Sequence, residues 1–168
     1  DKQIIIIILM KITKERLLQI VNEEISAFSA NKLNEATRST IAIEDKNGKV
    51  RGTYVHSDGY LDGVGDTLSK HYKDKKKIEQ LLDLGKAGIS GLYKSIDGGD
   101  SHSFNSPKKG ETIFYGRDRG EDNDMTSQFK DRAAFATGHS EEFAYMYSMK
   151  DKKWYSATDD DRNWTELK

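Results

Sequence analysis

A chain of 168 residues, 35% hydrophobic and 33% charged, is the size of one ordinary domain with room for a real core. Its 27 Lys and Arg nearly cancel its 28 Asp and Glu, so no net field draws it to nucleic acid, and nonspecific DNA binding is not expected. The absence of cysteine removes disulfides, thiol nucleophiles and thiolate zinc sites; it fits a reducing compartment and leaves any metal to His, Asp and Glu.

The opening "DKQIIIIILMKITKERLLQIVNEE" carries an apolar run, Ile4 to Met10, far shorter than the roughly 18 to 20 residues a membrane span needs, and no small-residue cleavage site follows. Neither a secretory signal peptide nor a membrane span is expected. Met10 followed by Lys11 resembles a start, so residues 1–9 read either as upstream sequence or as a β-prone arm. As an arm, Ile5 and Ile7 belong to a pairing hazard that another protein or a second copy of the chain would cover. From Thr13 onward, Leu17, Leu18, Ile20, Val21, Ile25 and Phe28 recur at helical spacing, which predicts an amphipathic helical extension over 10–30. The small, polar stretch from Ser29 to Arg38 reads as a linker, and 38–168 as one further domain.

That domain begins with "STIAIEDKNGKVRGTYVH", two alternating runs around Asn47-Gly48, the clearest hairpin signal in the chain. Val64, Leu68 and Tyr72 predict a short helix; Ile78, Leu81, Leu82 and Leu84 predict a second that ends at Gly85. Glycines and the single proline, Pro107, break up the following stretch to Gly110 around a short element near Leu92 to Ile96. A strand is expected over Thr112 to Tyr115, then a charged loop, then a short helix over Gln128 to Ala136. "EEFAYMYSMKDKKWYSAT" predicts a second hairpin, with Phe143, Tyr145, Tyr147 and Met149 on one face. Strands arriving as hairpins predict an α+β fold, an antiparallel sheet with helices gathered on one face, preceded by the N-terminal helix.

Arg38-Ser39-Thr40, then His56, Asp58, Gly59 and Tyr60, the Gly63-Val64-Gly65 piece, Leu68 and His71-Tyr72 form a pattern, with "FYGRDRGE" at Phe114 to Glu121 further on. In this pattern the body of the chain resembles a group of small, largely uncharacterised proteins of bacteriophages and bacterial genomes. Leu61 stands where that group often has proline. The helix "MKITKERLLQIVNEE" is similar to openings of marine phage proteins. The resemblance implies a viral origin, with a place in the host cytoplasm or the virion, and implies no activity.

Several places carry candidate chemistry. If the strand ends near Val55, His56 and Asp58 point to one side, and with Asp62 or His71 they would hold a divalent metal; the competing reading makes His56, Asp58 and Tyr60 the hydrogen-bonded corner of a turn. Gly63 to Gly65 before a helix suggests a phosphate cradle, without the lysine and serine of a P-loop. Arg117 and Arg119 suit a phosphate or carboxylate, or pair with Asp118 and Glu121 in a surface loop. His102 near Asp100 and His139 near Glu141 suit acid–base work only if folding joins them. Tyr145, Tyr147, Trp154 and Tyr155 read as core and cross-strand pairs, and a base-stacking platform would need Lys and Arg around them; Lys150, Lys152 and Lys153 sit at a turn.

No catalytic constellation is complete in the sequence, and no cofactor is implied by it. The expectation is therefore a phage accessory protein that binds a host or virion protein through Ile5, Ile7, Leu17, Leu18 and Val21, with self-association through the same segment, no membrane and no nucleic acid. The alternative is a small metal-assisted hydrolase of a phosphate compound, with His56, Asp58 and His71 as ligands and Arg117 or Arg119 on the anion.

Overall fold

The computed structural model describes residues 37–168 together with Leu18, Gln19, Val21 and Asn22. The chain divides into two compact units, Asp1–Ala36 and Thr37–Lys168. Ile5, Ile7, Leu17 and most of the arm and extension lie outside the described residues. Leu18, Gln19, Val21 and Asn22 are helical, and Leu18 and Val21 are exposed.

The second unit is built on the predicted hairpin of β1 (Ser39–Glu44) and β2 (Val50–Val55), paired in full register from Ser39 opposite Val55 to Glu44 opposite Val50. Asp45 closes the turn by accepting from the amides of Asn47 and Lys49, and Gly48 takes φ +84°. A wide, π-helical turn (Leu61–Gly65) leads into α1 (Asp66–His71), then α2 (Lys75–Leu84), whose first turn is capped by the Asp74 carboxylate on the Lys77 amide and whose end falls at Gly85. There follow β3 (Ile89–Gly91), β4 (Ile113–Phe114), α3 (Tyr115–Arg119), β5 (Thr126–Phe129), α4 (Arg132–Gly138), the hairpin β6 (Phe143–Ser148) with β7 (Lys153–Thr158), and β8 (Thr165–Glu166).

The α+β expectation stands, but the sheet is mixed rather than antiparallel. Eight strands form it in the order β4-β3-β2-β1-β6-β7-β8, with β5 also on β2. β1 runs parallel to β6 from Ser39 beside Phe143 to Glu44 beside Ser148, and β2 meets β3 in parallel at Val55 and Ile89. The hairpin leaves one edge of β1 open, and the long connection through α4 returns the chain to that edge in the same direction.

Nor do the helices gather on one face. Ile41, Ile43, Tyr145 and Tyr147 face a core shared with Leu68, Tyr72, Ile78, Leu81 and Leu82 from α1 and α2. Ala42, Val50, Ala144 and Met146 face the opposite way, where Phe135 of α4 packs with Phe129 and Trp164. β1 and β6 are thus buried on both sides, Ser39 and Thr40 of β1 included.

Two local expectations change. The strand at Thr112–Tyr115 shrinks to two residues because Tyr115 opens α3, which Gly120 ends at φ +79°. The helix at Gln128–Ala136 divides: Thr126–Phe129 pairs with β2, and α4 starts only after Asp131, whose carboxylate caps the Ala134 amide. Among the described residues no helix is long and apolar enough to cross a membrane.

Candidate functional site

The corner after β2 is bolted to its surroundings. The His56 amide donates to the Ile89 carbonyl at 2.8 Å, the Gly59 amide to Thr37 at 2.8 Å, and the Val64 amide to Asp58 at 2.8 Å. The buried Tyr145 hydroxyl donates to the Gly59 carbonyl at 2.7 Å, and its burial pushes the phenol well above the ordinary tyrosine range. Asp58 sits in the left-handed region at φ +57°, so the extended alternation that would aim His56 and Asp58 at one side stops before Asp58. Their side chains take different partners: His56 Nδ1 bonds the Tyr54 hydroxyl at 2.7 Å, and Asp58 Oδ1 accepts from the Tyr60 hydroxyl at 3.0 Å. His71 lies exposed at the end of α1. Among the described residues no group of three or more His, Asp or Glu is placed to hold a metal ion, the set His56, Asp58 and His71 included.

The Gly-Val-Gly piece is no phosphate cradle in this geometry. The Gly63 and Gly65 amides donate to the Tyr60 carbonyl at 3.1 and 3.4 Å, and the Val64 amide is spent on Asp58. A Cβ on Gly63 would stand 2.2 Å from the Asp58 carbonyl oxygen, and one on Gly59 would stand 2.7 Å from that of Thr37. These glycines serve close backbone approach.

Arg117 is likewise turned inward. Its Nε and Nη2 hold both oxygens of Asp118 at 2.6 and 2.8 Å, Nη1 donates to the Ile96 carbonyl at 2.7 Å, and Nη2 also donates to that of Thr112 at 2.8 Å. The guanidinium lies over Phe114, 4.8 Å from the ring centre. Asp118 also accepts from the Phe114 amide at 2.8 Å and from His102 Nε2 at 3.1 Å. The Lys108 amide donates to His102 Nδ1 at 3.1 Å, so that nitrogen carries the lone pair and Nε2 carries the proton given to Asp118. The His102 and Asp118 side chains are 1% and 3% exposed. Burial alone would raise the Asp118 carboxyl, but the Arg117 and Phe114 hydrogen bonds outweigh it and hold the group below its ordinary range. This knot ties the glycine-rich 96–112 stretch to α3, and His102 meets Asp118 instead of Asp100. Arg119 pairs with Glu121 at 3.3 Å over the Phe104 ring, as the surface-loop reading expects.

A small cleft of about 170 Å³ opens where β1 and β2 face the α4–β6 connection, lined by Thr40, Tyr54, Ser127, Phe129, His139 and Glu141. His139 Nδ1 donates to the Glu141 carbonyl at 2.9 Å, and its Nε2 is buried with no hydrogen-bond partner among the described residues. Glu141 spends its carboxylate on the hydroxyls of Thr40 and Ser140. His139 and Glu141 therefore meet through the main chain and not as an acid–base couple. Tyr54 was invisible as a site residue in the sequence; burial raises its phenol, partly countered by Arg38. The Glu141 carboxylate in its lining makes the cleft ill-suited to an anion.

Tyr145, Tyr147 and Trp154 are core, as read from their alternation, and Tyr155 is half-buried. Tyr147 and Trp154 are directly opposed across β6 and β7, ring centres 5.4 Å apart, and Arg132 covers Tyr155 at 4.8 Å. No protein-family model matches the chain, and neither a curated protein nor a solved structure shows significant similarity to it.

Proposed function

We propose that the protein acts by binding another protein, a host factor or a virion component, with the N-terminal segment as its docking element. The observation that carries this reading is the exposure of Leu18 and Val21, 53% and 44%, three residues apart on one helical turn. Two aliphatic side chains on one helix face are the anchors by which an amphipathic helix enters an apolar groove. Covering each fully contributes about 1.5 to 3 kcal/mol. The body supports the same reading, because Arg117, His102 and Asp118 are committed to internal bonds. The resemblance to phage proteins supports the class of partner. Metal-assisted hydrolysis at His56, Asp58 and His71 draws no support from the arrangement of those side chains.

The test compares the full chain with its Leu18→Asp/Val21→Asp variant, each affinity-purified from the infected host, with stoichiometric partners identified by mass spectrometry. A host or virion protein retained by the first and lost by the second is expected, with circular dichroism unchanged in the body. A partner held equally by both, or a wild-type monomer that retains nothing, overturns the proposal. A wild-type dimer dissolved by the substitutions replaces the foreign partner with a second copy.

A further inference from the structure

We infer that a lysine-lined pocket at the junction of α1, the β6–β7 turn and the segment after β8 is an anion site for a compact, phosphate-bearing ligand. Its volume is about 250 Å³, and Lys73, Lys152, Lys153 and Lys168 line it, with Trp154 and Leu167 as its apolar wall.

Trp154 is the reason these lysines converge. Its indole Nε1 donates to the Tyr72 carbonyl at 2.6 Å, which sets Lys73 against the start of β7. Its own carbonyl accepts from the Leu167 amide at 2.9 Å, which brings Lys168 to the same place. Lys152 and Lys153 precede it directly in the chain. Trp154 is 5% exposed, so this framework is rigid core and not a loose surface encounter.

Like charges held together cost stability unless something neutralises them. Lys153 has a partner, Glu166 at 2.8 Å. Among the described residues Lys73, Lys152 and Lys168 make no ion pair, and all three are exposed. The nearby Asp74 carboxylate caps the Lys77 amide and keeps its charge, so two acids, Glu166 and Asp74, stand against the four lysines Lys73, Lys152, Lys153 and Lys168. Lys152 also occupies the left-handed region at φ +57°, where glycine would sit without strain, so the turn holds a charged side chain at a conformational cost. The excess is therefore cationic, and ammonium groups act as point charges suited to phosphate oxygens. The volume suits one to three linked phosphoryl groups and not a whole nucleotide. The balanced charge of the whole chain concealed this local excess.

The experiment is isothermal titration calorimetry of the full chain with inorganic tripolyphosphate, at salt on the order of 20 mM where screening is weak. Saturable binding at one site is expected, weakened about tenfold in Lys73→Gln/Lys152→Gln and unchanged in Lys46→Gln/Lys49→Gln, which removes two exposed lysines at the β1–β2 turn. Without ligand, the pocket variant should melt at the same temperature or higher, since repulsion is relieved. No saturable binding, or equal weakening in both variants, overturns the inference. So does binding of single-stranded oligonucleotides that grows with their length while tripolyphosphate is ignored, which would indicate a nucleic-acid track. None of these outcomes touches the docking role of Leu18 and Val21.

Discussion

Asp118→Asn is the sharpest test of the knot that holds the 96–112 stretch. The carboxylate is 3% exposed and accepts four hydrogen bonds: two from Arg117 at 2.6 and 2.8 Å, one from the Phe114 amide at 2.8 Å and one from His102 at 3.1 Å. All four partners are donors. An asparagine places its oxygen best where Oδ2 stands, which keeps three of the bonds but sets its NH₂ against Arg117 Nε. The substitution also takes the counter-ion from the guanidinium. One lost bond to a charged group costs about 1.5 to 3 kcal/mol, and the guanidinium, 25% exposed, keeps its bonds to the Ile96 and Thr112 carbonyls. About 3 kcal/mol is expected, a fall in Tm on the order of 10 °C for a domain of this size. The assay is urea unfolding followed by tryptophan fluorescence and circular dichroism at several pH values. Because the folded carboxyl lies below its ordinary value, its contribution is complete above the unfolded pKa of about 4 and disappears as pH falls through the folded one. The gap between wild type and variant should be constant from neutral pH down to mildly acidic pH and close below about pH 4. A variant within about 0.5 kcal/mol of wild type at neutral pH, or a gap indifferent to acid, refutes the reasoning.

The corner glycines should separate by mechanism in the same unfolding assay. Gly63→Ala, with its Cβ 2.2 Å from a carbonyl oxygen, should cost about 3 kcal/mol or more, while Gly48→Ala, at φ +84° with nothing within 4 Å, should cost about 1 kcal/mol. Arg132 grips Glu44 through Nε at 3.2 Å and Nη2 at 2.7 Å and lies over Tyr155, so Arg132→Lys should lose about 1 to 2 kcal/mol despite keeping its charge; an unchanged urea midpoint would contradict this. Tyr72 is fully buried, and burial pushes its phenol up to about 12. The unfolded chain releases that proton near pH 10, so stability is intact below pH 10 and should fall by about 3 kcal/mol as pH rises toward 12. Absorbance at the tyrosinate band should show the buried phenols ionising only with unfolding, and free titration near pH 10 would contradict the packing.

The parts of the fold legible in the sequence are those specified locally. Asn47-Gly48 between alternating runs carries its own turn chemistry, and the α2 pattern carries its face and its Gly85 stop, so both were found where they lie. The parallel pairing of β1 with β6 had no such signal, because nothing near Ser39 records that Phe143 will lie beside it. The same limit hid both charged centres. Arg117 beside Asp118 looked like a solvated loop because the partners that complete the pair, Ile96 and Thr112 on Arg117 and His102 on Asp118, come from the glycine-broken stretch. Lys73 and Lys152 belonged to separate basic runs, each balanced by neighbouring acids, until Trp154 brought them together. In sequence, both centres are charges whose neutralising partners look adjacent. Folding then divides them into opposite classes: the Arg117 guanidinium has its donors taken up by acceptors, whereas Lys73 and Lys152 are open to solvent and make no ion pair among the described residues. Of the two, only the open cluster has bonding capacity left for a ligand, so that is where an anion would be sought first.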